Sequence, residues 1–290
     1  MQLGGRAVDL RRPWLVGILN LTPDSFSDGG LLQSRDDLLF AAERMVAEGA
    51  DLLDLGGEST RPGAEPVGEQ EEFDRLLPAI EALHASLDVP LSADTRRAGV
   101  ARAAVAAGAV MINDVSGFAD PAMGAVLAAS GAAWVLMHMP HGVGAMAPSQ
   151  RTATMSDDLD VGLQQVADGL ADAVARAEAA GVARSQLAVD PGIGFGKTLQ
   201  QNLCLLRGAA PIAMLDLPVY LGPSRKSFIA AVARAATADL PSQRLFGTAA
   251  AVAAAVLGGA AFVRVHDVAA MRQVVDVAVA LRDAGSPSAR

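Results

Sequence analysis

Arg61, Arg264 and His266 are cationic or hydrogen-bond-donating side chains in a chain whose formal net charge is -9. Such groups suit an anion, most simply phosphate or diphosphate, which a guanidinium grips through two parallel N–H bonds. Asn20 and Asp28 add hard oxygen donors of the kind Mg²⁺ accepts beside substrate phosphates. Asp94, Asn113, Asp190 and Lys226 form a second group. Carboxylate, amide and ammonium together suit a flat heterocycle that carries both donors and acceptors. An Asp facing an adjacent N–H/NH₂ pair makes two charge-assisted hydrogen bonds, as it would with a guanidinium.

Nearly all of these residues stand at or shortly after the end of a short apolar run. The candidate strands are Trp14–Leu19, Leu52–Leu55, Leu91–Ala93, Val110–Ile112, Ala133–Met137, Leu187–Val189, Val219–Leu221 and Ala261–Val265. Helical stretches alternate with them, among them Asp36–Glu48, Glu69–Leu87, Ala98–Ala107, Asp157–Ala180 and Ala269–Arg282. In Asp157–Ala180, Leu159, Leu163, Val166, Leu170 and Val174 recur at three and four residues, which marks a core-facing stripe. Strands alternating with helices at this spacing are parallel βα units. Eight of them in 290 residues fit a (β/α)8 barrel of the TIM type better than an open doubly wound sheet. Such a barrel gathers its functional groups at the C-terminal ends of the strands. No Pro/Gly/Ser-rich linker divides the chain, so residues 1–290 read as one domain.

Composition narrows the function classes. Hydrophobic residues make up 51% of the chain, enough for a large core, and disorder is excluded. The acidic balance argues against nucleic acid, whose phosphates call for a basic stripe. The single cysteine allows no internal disulfide, and it fits a reducing cytoplasm. Residues 245–263 carry no charge and are nominally long enough to span a bilayer, but they are mostly Ala and Gly and contain Gly258-Gly259. A buried helix followed by a buried strand is the better reading, so no membrane partner is expected. Met1 to Arg12 has arginines but no apolar stretch, so no secretory signal is expected.

Five motifs in order carry a resemblance: NLTPDSFSDGG at 20–30, GESTRPG at 57–63, DPGIGFGK at 190–197, SRKSF at 224–228 and RVHDV at 264–268. From Val16 to Val268 the chain resembles the dihydropteroate synthase family. The resemblance implies a barrel that joins 6-hydroxymethyl-7,8-dihydropterin diphosphate to p-aminobenzoate with Mg²⁺ assistance, releasing pyrophosphate. Sulfonamides compete with p-aminobenzoate in that family, and its members are commonly homodimers. The resemblance implies that Asp94, Asn113, Asp190 and Lys226 hold the pterin. Asn20, Thr60, Arg61, Arg264 and His266 would hold the diphosphate, with Asn20 and Asp28 near Mg²⁺. Phe26, Pro62, Phe195 and Ser227 would border the p-aminobenzoate pocket. It also implies a dissociative substitution, in which a pterin methylene cation forms before the amine attacks; Asp94, Lys226, Arg61 and Asp28 are the expected catalytic set.

Other features are read as structural. Gly192, Gly194 and Gly196 lack the dinucleotide-loop spacing. Four scattered histidines and Cys204 do not make a zinc site, and Cys204 is a small apolar filler. Asp51 and Asp54 are expected to cap or to face solvent, while Asp114 and Asp267 are helix caps or support for the site. The family pattern after His138 is altered by Pro140 and His141, which receives no role. Ala93 and Pro223 also depart from the family; the first is benign, the second stiffens the approach to Ser224 and Lys226. Two alternatives share parts of the pattern. A methyltetrahydrofolate-dependent methyltransferase would need neither Arg61 nor the Arg264/His266 pair. A non-catalytic pterin-binding paralogue would be expected to lose residues that are present here.

Overall fold

The computed structural model describes residues 1–21, 34–58, 67–140, 155–234 and 240–284. Thr60, Arg61, Pro62, Phe26, Asp28 and His141 lie outside them. A small hairpin, β1 (Gln2–Leu3) and β2 (Arg6–Ala7), precedes the barrel. The barrel strands are β3 (Trp14–Asn20), β4 (Leu52–Gly56), β5 (Leu91–Asp94), β6 (Met111–Asp114), β7 (Ala133–Met137), β8 (Leu187–Asp190), β9 (Tyr220–Leu221) and β10 (Phe262–Val265). Among the described residues they pair in parallel in sequence order from β3 to β8, and β10 pairs with both β3 and β9. A single Val189–Val219 bridge brings β8 to β9 and nearly closes the ring. This is the expected (β/α)8 barrel.

Alternation along the strands separates two layers, because successive side chains of a strand point to opposite faces. Leu15, Leu53, Leu55, Ile112, Leu136 and Val263 pack outward under the helices. Val16, Leu52, Met111, Val135, Tyr220 and Phe262 form the interior cluster, which Leu3 of the hairpin joins. The next inward position on several strands, one step toward the C-terminal end, is polar. That step turns a packed floor into a site.

Helices α2 (Glu69–Ser86), α3 (Ala98–Ala106), α4 (Met123–Ser130) and α7 (Ala210–Ala213) cover the barrel among others, and the helices that matter for placing the site begin at clear stops. α1 (Arg35–Ala47) is capped by Ser34, whose side chain accepts the Asp37 N–H. α5 (Leu159–Ala179) is capped by Asp158, and α6 (Leu199–Leu206) by Thr198 with a reciprocal Gln201 box. Each such cap is worth about 1 kcal/mol. The predicted stripe of α5 is observed: Leu163, Val166, Leu170 and Val174 are buried and Leu159 partly so. Each burial stabilises by about 1.5–3 kcal/mol. The uncharged stretch from residue 245 is indeed a helix and a strand, α9 (Leu245–Leu257) and β10. Among the described residues, no helix is long and apolar enough to cross a membrane.

Candidate functional site

The polar step of the barrel is built around Arg264. Its Nε donates to Asp54 Oδ2 at 2.6 Å and its Nη2 to Asp94 Oδ2 at 3.0 Å, while Asn113 Nδ2 donates to the same Asp54 oxygen at 3.1 Å. Four strands, β4, β5, β6 and β10, thus deliver one side chain each to one network. Burial works against the Arg264 charge, but Asp54 and Asp94 hold its pKa above the ordinary value. Burial pushes the Asp94 carboxyl up to about 8; Arg264 pulls against that, and Asp54, Glu72 and Asp114 add to it. Two carboxyl groups therefore share one guanidinium, and burial leaves Asp94 ready to take up a proton.

Asp190 and Lys226 form the other side. Asp190 Oδ1 accepts the Gly192 N–H at 2.7 Å, and burial raises its pKa against the pull of Lys226. Lys226 Nζ donates to the Ile193 carbonyl and lies 4.5 Å from the centre of the Phe195 ring, a cation–π contact. Burial lowers the Lys226 pKa to about 8, Asp190 opposing and Arg264 adding. Its presentation is unusual. The Lys226 N–H bonds the Pro223 carbonyl at 3.4 Å, closing a turn whose third residue, Arg225, has φ +58°. That region favours glycine and costs other residues about 1 kcal/mol or more. The compensation is visible: Arg225 makes two bonds to Asp267 (3.1 and 2.7 Å) and its N–H bonds Thr248 Oγ1 at 3.1 Å. Pro223 is part of this turn, so the departure from the family pattern is accommodated.

Of the remaining expected residues the structure describes Asn20, His266, Phe195 and Ser227. Asn20 Oδ1 and Asp94 Oδ2 each lie 3.8 Å from where a Cβ on Gly56 would stand, so Gly56 keeps the space between them open. His266 Nδ1 is 2.9 Å from Ser224 Oγ, which also accepts the His266 N–H at 3.2 Å. Phe195 packs with Val115 and Met137, and Ser227 opens α8 (Ser227–Val232) exposed. The structure does not keep the two sequence groups apart: Arg264 stands within the Asp94/Asn113 network. A cavity of about 320 Å³ beside the centre is lined by His138, Gln165, Gly169 and Arg176, and by none of Asp94, Asn113, Asp190, Lys226 or Arg264.

The acidic residues read as structural divide. Asp54 neither caps nor faces solvent; it is fully buried, because period two puts it inward once Leu53 and Leu55 face the helices. Asp51 is structural, accepting the Leu15 N–H at 2.7 Å and pairing with Arg272. Asp114 ties the turn after β6 through Ser116 and Phe118. Asp267 makes no side-chain cap on α10 (Val268–Asp283) and pairs with Arg225 instead. Cys204 is partly buried against the core. Glu58, part of the motif at 57–63, has no role assigned from sequence. Its carboxylate takes two bonds from Arg96, both 3.0 Å, and one from the Val67 N–H at 3.2 Å, while Arg97 reaches Glu58, Glu72 and the Val67 carbonyl. Burial opposes the Glu58 charge, yet Arg96 and Arg97 hold its pKa below the ordinary range.

Comparison with known proteins matches residues 16–266 to the family described as pterin binding enzyme. The dihydropteroate synthase of Synechocystis is 44% identical over 274 residues, 93% of this chain and 91% of that protein. The Yersinia pestis dihydropteroate synthase, solved in complex with a sulfonamide drug, superposes with a TM-score of 0.88 at 39% identity, covering 98% of this chain and 99% of that one. The Burkholderia cenocepacia dihydropteroate synthase, solved with 7,8-dihydropteroate, gives 0.84 at 41% identity over 98% and 96% of the two chains. With a barrel, a strand-end site and relatives that agree along nearly its full length, the chain belongs to the dihydropteroate synthase family of pterin-binding enzymes.

Proposed function

We propose that this enzyme condenses 6-hydroxymethyl-7,8-dihydropterin diphosphate with p-aminobenzoate, giving 7,8-dihydropteroate and pyrophosphate in folate biosynthesis. The observation that carries the reading is the meeting of Asp94, Asn113, Asp190 and Lys226 around Arg264 at one barrel mouth. Carboxylates and an amide buried this way recognise a donor-rich ring face, and Lys226 supplies a donor to its acceptor side. Arg264 Nη1 has no acceptor among the described residues and is left to an anion. Arg61, Thr60 and His266 complete the diphosphate's grip, which draws off the charge that develops as the C–O bond breaks. Asp94, as carboxylate, stabilises the positive charge left on the pterin methylene, while Phe195, with Phe26, Pro62 and Ser227, holds the arylamine in line. A weak nucleophile gains most from such positioning.

Asn20 offers one amide oxygen at the mouth, and no cluster of three or more metal-ligating side chains stands among the described residues. That donor set fits Mg²⁺ held chiefly by phosphate oxygens, with Asn20 and Asp28 as its protein ligands. When bound, the ion would neutralise diphosphate charge. Sulfonamides are competitors for the Phe195 side of the site. The apolar outer face of α9 supports a homodimer, and the lone cysteine supports a cytoplasmic setting.

The test is an assay of purified protein with Mg²⁺, the dihydropterin diphosphate and labelled p-aminobenzoate. Mg²⁺-dependent labelled dihydropteroate is expected. Tight binding of the pterin diphosphate with no product would instead indicate a binding paralogue.

A further inference from the structure

Lys197 is absent from the set of substrate residues, yet its side chain is buried, 8% exposed. An ammonium removed from water needs acceptors. Lys197 Nζ finds three backbone carbonyls, Gly192 at 2.9 Å, Phe195 at 3.1 Å and His138 at 3.4 Å. They come from the loops after β7 and β8. Their convergence needs a tightly curled chain, and Gly192, Gly194 and Gly196 supply it at φ +67°, +83° and +62°. Asn202 of α6 anchors the curl, accepting the Gly194 N–H at 2.6 Å and donating to the Lys197 carbonyl at 3.3 Å.

The other side of the same loop meets the site. The Gly192 N–H holds Asp190, the Ile193 carbonyl receives Lys226, and the Phe195 ring lies against Lys226 Nζ. One peptide, that of Phe195, carries its carbonyl on Lys197 and its ring on the site. Without the ammonium, two buried carbonyls and one partly buried one lose a shared donor, and a cavity opens among them. The loop would then turn to other donors and take Ile193 and Phe195 with it.

We infer that Lys197 is a positioning residue for the arylamine substrate: it touches neither reactant, and its ammonium holds the loop that places Phe195 and the partner of Lys226. The inference rests on the coupling activity proposed above. Wild-type turnover is measured first, since its absence would count against that activity and not against Lys197. In Lys197→Met the KM for p-aminobenzoate is expected to rise about tenfold or more, the scale of a small misplacement near reacting groups. The Kd for the dihydropterin diphosphate should rise less, by about threefold, because only Asp190 and Lys226 of its contacts lean on this loop, while Asp94, Asn113 and Arg264 stand on other strands. Lys197→Ala leaves room for a small cation, so added ethylammonium should restore much of the lost p-aminobenzoate affinity; tetramethylammonium, which has no N–H, should not. Folded variants with an unchanged KM for p-aminobenzoate would overturn the inference. Equal losses for both substrates without rescue, or variants that stay unfolded with the pterin diphosphate present, would also overturn it, since Lys197 would then serve the fold alone.

Discussion

Removing Asp54 leaves Arg264 Nε and Asn113 Nδ2 without their shared acceptor inside the barrel. Breaking a buried ion pair from one side typically destabilises by about 3 kcal/mol or more, so Asp54→Ala should show a loss of that order in urea denaturation. A loss under about 1 kcal/mol would mean the network tolerates the gap. Asp54 was legible in principle: Leu53 and Leu55 are the helix-facing pair, and strict alternation leaves Asp54 inward. The expectation of a cap or a solvent-facing carboxylate fails because an acidic residue one step below the strand end looks like a cap unless the strand's two faces are assigned first. His138 gives a pH-dependent case. Burial lowers its pKa to about 3, with Lys197 adding, against an ordinary value of 6.5. Between those values the unfolded chain binds a proton that the folded one refuses, so stability falls as pH drops below about 6.5. His138→Leu should remove up to about 2 kcal/mol of the stability difference between pH 7 and pH 5. Parallel pH profiles for the two proteins would refute the assignment.

At the scale of elements, the strands run past the apolar residues that announce them. β3 takes in Asn20, β5 Asp94, β6 both Asn113 and Asp114, and β8 Asp190. Hydrophobicity marks only the packed part of each strand, while parallel pairing continues through polar residues that face the interior. Asn20, Asp94, Asn113, Asp190 and Arg264 are therefore strand residues and inherit the barrel's rigidity. Lys226 is presented by a turn instead, and no sequence pattern revealed that Arg225 would take a glycine-like conformation. Its dependence on Asp267 can be tested. Asp267→Ala should leave helix content unchanged but lower kcat/KM by about tenfold, since Lys226 loses its fixed approach. Wild-type kinetics in that variant would show that the turn holds itself. The alternation of eight apolar runs with helical stretches and the residues of the five motifs revealed the barrel well; cross-loop ties such as Glu58 with Arg96 depend on neighbours far apart in the chain, and spacing could not show them.

Over the whole molecule, α9 carries no charged residue, and Phe246, Ala250 and Leu257 leave an apolar stripe facing outward, with Phe246 86% exposed. If two copies meet there, Phe246→Glu should halve the mass seen by sedimentation while the barrel's circular dichroism persists; an unchanged mass would place any association elsewhere. The barrel has one further asymmetry. Seven of its eight joins are ladders, but β9 has only two residues, and Val189 N–H to the Pro218 carbonyl at 2.9 Å is the main tie to β8. Asp190 and Lys226 stand on opposite banks of that join. A single ring bound by both would act as a stitch across the weakest seam, and substrate uptake would then complete the cylinder that the β8–β9 bridge leaves thin.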